Sequence, residues 1–266
     1  MIAPAPAKIN LALVVGPLRD GRHELLTIYQ RVDLCDRISV EPAATTTVSG
    51  FHDDTIVRAA LDTLDASAGW RVRIEKRIPV AAGLAGGSSD AATALRLAND
   101  QLAKPRPLAD LHAIAAGLGA DVPFFLYDGP QLGSGDGTTV EPAELPQTFA
   151  VLLLLPHGAA KSSTGEIYAA FDRRRGAEGY EERARQLREA LASVREPREL
   201  AALPPNDLAS SPLADDLRRA GAFRADVSGA GPALYGLFED REQALHGARA
   251  VRGLGQVWVT DPAWYG

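Results

Sequence analysis

A glycine- and serine-rich segment, Pro79 to Asp90, carries the clearest chemical signal in the chain. Its small residues are Gly83, Gly86, Gly87, Ser88 and Ser89. Glycine lets backbone N–H groups approach a ligand closely. A helix start adds unpaired N–H groups and the positive end of the helix dipole. Together these features predict a phosphate-binding loop. A tight turn with a serine cap is the alternative, and the segment alone does not separate the two.

The flanking patterns predict a strand before this loop and a helix after it. Trp70, Val72 and Ile74 alternate with charged residues, which is typical of a half-buried strand. The helix is predicted to present the apolar stripe Ala91, Leu95, Ala98 and Leu102, with Ser88 or Ser89 as its cap, Asp90 in its first turn, and its end at Lys104-Pro105. The loop matches neither the P-loop pattern nor the Gly-x-Gly-x-x-Gly fingerprint of dinucleotide-binding folds.

Composition narrows the class of protein. The chain has 266 residues, 46% of them hydrophobic, and a net charge of −6. That charge argues against a nucleic-acid-binding surface. We expect a cytoplasmic protein, because the N-terminus lacks a signal-peptide pattern and the single Cys35 excludes an internal disulfide. The five scattered histidines make a structural metal unexpected.

Basic residues of the first third flank the glycine-containing segments and could collect positive charge for a phosphate. They are Lys8, Arg22, Arg31, Lys76 and Arg77. For Lys76 and Arg77, solvated charges at a strand end are an equal alternative.

The remaining pattern predicts an α+β chain with a domain boundary near residue 148, after Pro142 and Pro146. Strands are expected over 8–15, 33–41, 150–155, 225–228, 233–238 and 256–260, with a turn-rich connection over 16–23 and a hairpin turn at Gly133–Gly137. Helices are expected over 55–65, 108–118, 164–171, 181–192, 213–220 and 241–251. In the second part this order is that of a ferredoxin-like layer.

Six short segments carry further signals, in chain order: Pro6–Leu11, Asp20–Leu25, Pro79–Ser89, Gly119–Phe125, Asn206–Leu208 and Ser228–Gly231. Together they resemble the motifs of the GHMP kinases, a family named for galactokinase, homoserine kinase, mevalonate kinase and phosphomevalonate kinase. The resemblance implies two domains, an N-terminal α/β domain (1–148) like that of a ribosomal protein and a ferredoxin-like C-terminal domain (149–266). It also implies a kinase that uses ATP and Mg²⁺.

The resemblance implies roles for individual residues. Asp121 would be the catalytic base and Lys8 would stabilise charge beside it. Without the resemblance, the favoured interpretations are a turn residue for Asp121 and a surface lysine for Lys8. The ATP phosphates would be held by Pro79, Val80, Ala81, Ala82, Gly83, Leu84, Ala85, Gly86, Gly87, Ser88 and Ser89. Ser88 and Ser89 are candidates for Mg²⁺. The motifs are most similar to those of members that phosphorylate a cytidine diphosphate derivative of methylerythritol, which implies Asn10, His23, Thr164 and Tyr168 as substrate-binding residues.

The chain also departs from the family pattern. Arg22 replaces an aromatic residue before the histidine, where a guanidinium could stack on the base or reach the diphosphate. Ala81, Ala82 and Ala85 stand where loop glycines are common. The alternatives are a homoserine or mevalonate kinase, a non-catalytic ligand sensor, or an RNA-binding protein. We expect a monomer or weak homodimer with no membrane or nucleic-acid partner.

Overall fold

The structure is a computed structural model that describes residues 1–51, 55–159 and 163–263. Its strands are β1 Ile2–Arg19, β2 Arg22–Ala43, β3 Thr47–Ser49, β4 Gly69–Glu75, β5 Gln131–Ser134, β6 Thr139–Pro142, β7 Ala150–Pro156, β8 Arg224–Val227, β9 Leu234–Phe238 and β10 Gly255–Thr260. Its α-helices are α1 Thr55–Leu64, α2 Gly86–Asn99, α3 Leu108–Leu118, α4 Thr164–Arg173, α5 Tyr180–Ser193, α6 Leu213–Arg219 and α7 Arg241–Val251. Within the described ranges, no helix is long and apolar enough to cross a membrane.

Two sheets divide the strands. The first has the order β3-β4-β2-β5-β6, with β1 paired to β2, and the second has the order β10-β7-β9-β8. The predicted helices over 108–118 and 241–251 are confirmed with the same bounds. The first sheet ends at Pro142 and the second begins at Ala150. We propose the domain boundary between these two strands, at the predicted residue 148.

The long β1–β2 hairpin differs from the sequence prediction. A turn-rich connection over 16–23 was expected, but pairing runs from Ile2↔Ser39 to Arg19↔Arg22, so that only Asp20 and Gly21 form the turn. The prediction failed over 16–23 because glycine, proline and aspartate in this segment are typical of turns, and because the hairpin tip from Leu18 to Arg22 is exposed and shows no apolar alternation. Below the tip, β1 is buried from Ala5 to Gly16, and five of its residues between Ala7 and Val14 join a core that includes the second sheet.

Helix α2 begins earlier and ends earlier than predicted. It starts at Gly86 behind Ala85, with no side-chain cap, so the prediction of a Ser88 or Ser89 cap is wrong. Asp90 lies beyond the first turn and is fully buried. The helix ends at Asn99, whose side-chain amide bonds both the N–H and the carbonyl of Arg106. These two hydrogen bonds close a loop between Asn99 and Arg106, so the helix ends before Lys104-Pro105.

Buried polar contacts join the two domains. Arg224 on β8 donates to the carbonyl oxygen of Leu11 at 2.6 Å, and the Tyr235 hydroxyl donates to the same oxygen at 3.0 Å. Within the first domain, Gln30 and Gln147 exchange two side-chain amide hydrogen bonds at 2.9 and 3.0 Å, which hold the segment before the second sheet against β2. Because Arg224 and Tyr235 are buried and donate across the seam, the two sheets have a defined relative position.

Candidate active site

A cavity of about 530 Å³ lies where the glycine loop, strand β1 and the second domain meet. Its lining includes most of the predicted site residues, namely Lys8, Asn10, Pro79, Val80, Ala81, Ala82, Gly83, Ala85, Gly86, Gly87, Ser88, Asp121, Thr164 and Tyr168. Three further residues, Gly229, Ala230 and Gly231, reach it from the second domain. The cavity therefore combines a glycine-lined wall with a wall of polar side chains.

Lys8, Asn10 and Asp121 form one polar cluster at this cavity. Lys8 and Asn10 are two residues apart on β1, so both side chains lie on the same face of the strand. The Lys8 ammonium donates to Asn10 Oδ1 at 2.6 Å and lies 3.4 Å from Asp121 Oδ2. Asn10 Nδ2 in turn donates to the Thr27 hydroxyl at 2.8 Å. Lys8 and Asn10 are both 3% exposed, so this cation is held out of bulk water beside a carboxylate.

Asp121 lies in a short turn that is fixed from behind. The turn joins α3 to a 3-10 helix, Pro123–Leu126, through the Val122 N–H bond to the carbonyl of Gly119. Arg31 is buried behind this helix, where it donates to the carbonyls of Phe124 and Tyr127 and lies over the Phe124 ring. Arg31 therefore supports the Asp121 turn and does not line the cavity as a phosphate-binding cation, contrary to the charge prediction.

Gly83 holds the glycine loop against the second domain. Its φ is +84°, and an added Cβ would lie 2.5 Å from the carbonyl oxygen of Ser228 and 2.9 Å from that of Gly231. The Ser228 hydroxyl donates to the Gly83 carbonyl at 3.0 Å, and the Ala233 N–H donates to the Ala82 carbonyl at 2.9 Å. The loop is thus braced by a second glycine-containing loop before any ligand arrives.

Within the predicted loop, two side chains point away from the cavity. Leu84 is 1% exposed and packs in the interdomain core. Ser89 is fully buried, and its hydroxyl has no hydrogen-bond partner within the described parts of the chain. Only Ser88 of the two serines lines the cavity. Ser88 is therefore the better placed of the two for a phosphate or its Mg²⁺.

Two of the three unusual alanines adopt a conformation that favours glycine. Ala81 has φ +64° and Ala85 has φ +54°, whereas Ala82 is 2% exposed and packs in the core.

We expect Ala85→Gly to raise the free energy of unfolding by about 0.5–1 kcal/mol, because relief of left-handed strain exceeds the added chain entropy. Ala82→Gly is the control and should lower that free energy. Urea unfolding measures the free energy of unfolding of both variants. If Ala85→Gly were less stable than wild type, the inference that Ala85 is strained would be wrong.

Lys76 is enclosed by two buried carboxylates beneath the loop. Its ammonium lies 2.6 Å from Asp36 Oδ2 and 2.7 Å from Asp90 Oδ2. Asp36 also accepts the N–H of Ile78 at 2.9 Å. Burial acts to lower the pKa of Lys76, but Asp90 and Asp36 outweigh it and raise that pKa. The solvated-charge alternative for Lys76 is therefore wrong: the cluster ties the end of β4 to helix α2.

The same cluster predicts a pH-dependent stability. Burial, aided by Asp36, raises the pKa of Asp90 to about 8. The folded state therefore keeps a proton that the unfolded chain releases between about pH 4 and pH 8, so this group lowers stability as pH rises through that window. We expect Asp90→Asn to raise the melting temperature relative to wild type, by a difference that grows from pH 5 to pH 8. The exposed Asp100→Asn is the matched control, and a pH-independent difference for Asp90→Asn would contradict this.

The predicted substrate side is built around Tyr168 on α4. His23 stacks on the Tyr168 ring at 4.9 Å, with Phe171 edge-on at 5.7 Å. His23 Nδ1 donates to the Gly16 carbonyl at 2.8 Å, and Nε2 lies 3.4 Å from Asp172 Oδ1. Burial and the nearby Asp121 raise the pKa of Tyr168 to about 12. Tyr168 thus lines the cavity, while His23 supports it from behind and is not itself part of the lining.

Arg22 has a different partner from the two that its position suggested. Its guanidinium pairs with the Asp136 carboxylate of the β5–β6 hairpin. It is exposed and lies outside the cavity lining. This contact connects the β1–β2 hairpin tip to the neighbouring glycine hairpin.

Several cavity residues escaped the sequence reasoning. Tyr29, Phe51 and Ile56 line the cavity beside Lys76, which was among the basic residues considered for a phosphate. Phe51 lies under the Lys76 ammonium at 5.5 Å from the ring centroid. Tyr29 follows Thr27 by two residues on β2, so the two share a face. Thr27 was not a candidate in the sequence, so this spacing gave no signal for Tyr29.

Comparison with known proteins places the chain in a family. Models of the GHMP kinases match twice, the N terminal domain over residues 54–129 and the C terminal domain over residues 177–256. The chain is 37% identical to the 4-diphosphocytidyl-2-C-methyl-D-erythritol kinase of Mycolicibacterium smegmatis, over 94% of this chain and 85% of that protein. It is 36% identical to the kinase of the same name from Anaeromyxobacter dehalogenans, over 95% of this chain and 85% of that protein.

Solved structures show the same relationship. The fold is similar to that of a 4-(cytidine 5'-diphospho)-2C-methyl-D-erythritol kinase, with a TM-score of 0.78 and 31% identity over 99% of this chain and 100% of the other. It is also similar to the mevalonate kinase of Methanococcus jannaschii, with a TM-score of 0.75 over 99% and 98% of the two chains, where 13% identity shows the fold alone. The chain therefore belongs to the GHMP kinases, and within them to the family of 4-diphosphocytidyl-2-C-methyl-D-erythritol kinases.

Proposed function

We propose that this protein transfers the γ-phosphoryl group of ATP to the 2-hydroxyl of 4-diphosphocytidyl-2-C-methyl-D-erythritol, a step of non-mevalonate isoprenoid precursor synthesis. The observation that carries the proposal is the buried Lys8–Asn10 pair facing Asp121 across a glycine-lined cavity. Phosphoryl transfer depends mainly on positioning and on stabilising charge, and this arrangement supplies both. Family membership supports the acceptor.

Asp121 is proposed to accept the hydroxyl proton. The acceptor oxygen forms a bond to the γ-phosphorus, the bond from that phosphorus to the β,γ-bridging oxygen breaks, and ADP leaves. The proton of the hydroxyl passes to the Asp121 carboxylate. Asp121 suits this role because its side chain is 33% exposed at the cavity, so an alcohol can reach it.

Lys8 is proposed to stabilise the negative charge of the transferring group. Its ammonium is fixed by Asn10 and is 3% exposed, and a buried cation interacts more strongly with charge than an exposed one. The backbone of 83–88 would hold the ATP phosphates at the start of α2. Mg²⁺ would neutralise charge on those phosphates; Ser88 is the loop residue with a hydroxyl at the cavity. Within the described residues, no cluster of three or more His, Cys, Asp or Glu side chains could hold a metal ion.

The acceptor is proposed to bind on the Tyr168 side of the cavity. Helix α4 starts at Thr164, and both Thr164 and Tyr168 line the cavity wall. The ring of Tyr168 offers a face on which a base can stack. His23 stacks on Tyr168 and fixes that face. A small acyclic alcohol such as homoserine or mevalonate would leave this aromatic wall unused. We further place the reaction in the cytoplasm, on a monomer or weak homodimer.

An ADP-release assay tests the proposal. Purified protein is mixed with ATP, Mg²⁺ and, in separate reactions, the cytidine diphosphate derivative, mevalonate and homoserine. We expect ADP release with the first acceptor alone. Turnover of mevalonate or homoserine without turnover of the cytidyl compound would refute the acceptor assignment. ATP hydrolysis that no acceptor accelerates would refute the kinase assignment.

A further inference from the structure

The second glycine loop, Gly229–Gly231, reaches the Lys8–Asn10 pair from the second domain. At Gly229, where φ is +57°, an added Cβ would lie 3.2 Å from Asn10 Oδ1 and 3.5 Å from the Lys8 ammonium nitrogen. The same position is 3.7 Å from the carbonyl oxygen of Gly83 in the first glycine loop. The backbone of Gly229 therefore lies beside both the loop proposed to hold ATP and the cation proposed to stabilise the transferred phosphoryl group.

The side-chain amide of Asn206 holds this second glycine loop. Its Nδ2 donates to the Val227 carbonyl at 2.9 Å and to the Gly229 carbonyl at 2.6 Å, and its Oδ1 accepts the N–H of Leu208 at 2.8 Å. Asn206 is 7% exposed. Its amide has one favourable orientation, because the reversed amide would place its oxygen against two carbonyl oxygens.

Asn206 is also anchored to β1, the strand that carries the buried cation. The next residue, Asp207, donates its N–H to the Leu13 carbonyl at 2.8 Å, and its Oδ2 accepts the Val15 N–H at 2.9 Å. On the other side, the N–H of Asn206 donates to Asp226 Oδ2 of β8 at 2.8 Å. Since its backbone is fixed to both domains, the Asn206 amide sets the position of the second glycine loop relative to β1.

We propose that Asn206 is a positioning residue for phosphoryl transfer, which holds the second glycine loop against Lys8 and Asn10. The inference rests on the proposed function, since it assigns Asn206 a part in that reaction. Asn206 is outside the cavity lining, whereas Gly229 is part of it, so Asn206 acts through the backbone of the loop. Phosphoryl transfer depends mainly on positioning, so a displaced loop would slow the reaction.

Asn206→Ser tests this role. The serine hydroxyl can still accept the N–H of Leu208, as serine does in local turns, but the shorter side chain no longer reaches the Gly229 carbonyl. We expect kcat to fall about 10- to 100-fold, because a displacement of about 1 Å near the reacting groups can cost about 100-fold in rate. KM for the acceptor alcohol should stay at its wild-type value, because its proposed binding residues, Thr164 and Tyr168, lie on α4.

Asn99→Ser is the matched control. Asn99 is also buried, at 5% exposure, and its side-chain amide also holds a loop by donating to the carbonyl and accepting the N–H of Arg106. It lies at the far end of α2 and outside the cavity lining. Its variant should lose thermal stability while kcat stays at the wild-type value.

A double variant tests whether Asn206 acts through the second glycine loop. Gly229→Ala places a methyl group 3.2 Å from Asn10 Oδ1 at a φ of +57° and should lower kcat by itself. Because the two residues share one hydrogen-bonded contact, Asn206→Ser should lower the kcat of Gly229→Ala far less than it lowers that of wild type. Independent sites would instead give effects on kcat that multiply.

The outcomes separate the two proposals. A wild-type protein that phosphorylates none of the three alcohols overturns the proposed function and the role of Asn206 with it. An active wild type whose Asn206→Ser variant loses no more kcat than Asn99→Ser overturns the inference alone. Effects of Asn206→Ser and Gly229→Ala that multiply in the double variant assign Asn206 to general packing and overturn the inference as well.

Discussion

Asp121→Asn is expected to reduce kcat by about 10²- to 10⁴-fold, the range that a positioned general base contributes. Asparagine keeps the size of the side chain and can still contact Lys8, but it cannot take a proton from the acceptor alcohol. ATP binding should be no weaker than in wild type, because the variant removes a negative charge from the vicinity of the phosphates. Steady-state kinetics and calorimetric titration with ATP measure the two effects.

Asp128→Asn is a suitable control for this substitution. Asp128 follows the same 3-10 helix, is exposed, and lies outside the cavity lining. Its variant should retain wild-type kcat. Full activity of Asp121→Asn would remove Asp121 from the role of base, and equal losses in the two variants would indicate that the turn, rather than the carboxylate, is what matters.

Gly83→Ala is expected to damage both stability and nucleotide use. The new methyl group would collide with the Ser228 and Gly231 carbonyls at 2.5 and 2.9 Å, and the residue would keep a φ of +84°. Left-handed strain of about 1–2 kcal/mol adds to overpacking of about 1–3 kcal/mol, so the free energy of unfolding should fall by about 2–5 kcal/mol. Because the loop must move to relieve the collision, KM for ATP should rise. Urea unfolding and steady-state kinetics report the two effects.

Gly117→Ala makes the same chemical change where space is open. Gly117 is exposed near the end of α3 and no atom lies within 4 Å of its added Cβ. That variant should be more stable by about 0.5–1 kcal/mol, since alanine favours helix. If Gly83→Ala were as stable as Gly117→Ala and kept its KM for ATP, the bracing of the loop by the second domain would be wrong.

Much of this fold is visible in the sequence where elements are short and amphipathic. Helices α3 and α7 follow their apolar periodicity, and the predicted bounds match. The β1–β2 hairpin was missed over residues 16–23 because its exposed tip consists of turn-type residues, and over 25–32 because burial on both faces erases the alternation that identifies a strand. The start of α2 was misplaced because Ala85 adopts a left-handed conformation that sequence patterns assign to glycine.

In the site, too, the sequence identified single residues but not the contacts between distant parts of the chain. Lys8 and Asp121 were recognisable by motif, and the structure brings them within 3.4 Å. The loop glycines look alike in sequence but differ in space: Gly83 meets the Ser228 carbonyl, Gly86 meets Lys76 and Ile78, and Gly87 meets only Ile56 at 3.9 Å. The Asp36–Lys76–Asp90 cluster joins three distant positions, and no spacing in the chain reveals such a contact.

The most direct test of the central claim is phosphorus NMR of the reaction of wild-type protein with ATP, Mg²⁺ and 4-diphosphocytidyl-2-C-methyl-D-erythritol. We predict a new phosphorus signal from a phosphomonoester at the 2-hydroxyl of the methylerythritol unit. This signal should grow at the rate at which ADP forms, and it should be absent with Asp121→Asn. Free phosphate as the sole new product, or the same ester formed by Asp121→Asn at the wild-type rate, would contradict phosphoryl transfer at the Lys8–Asp121 site.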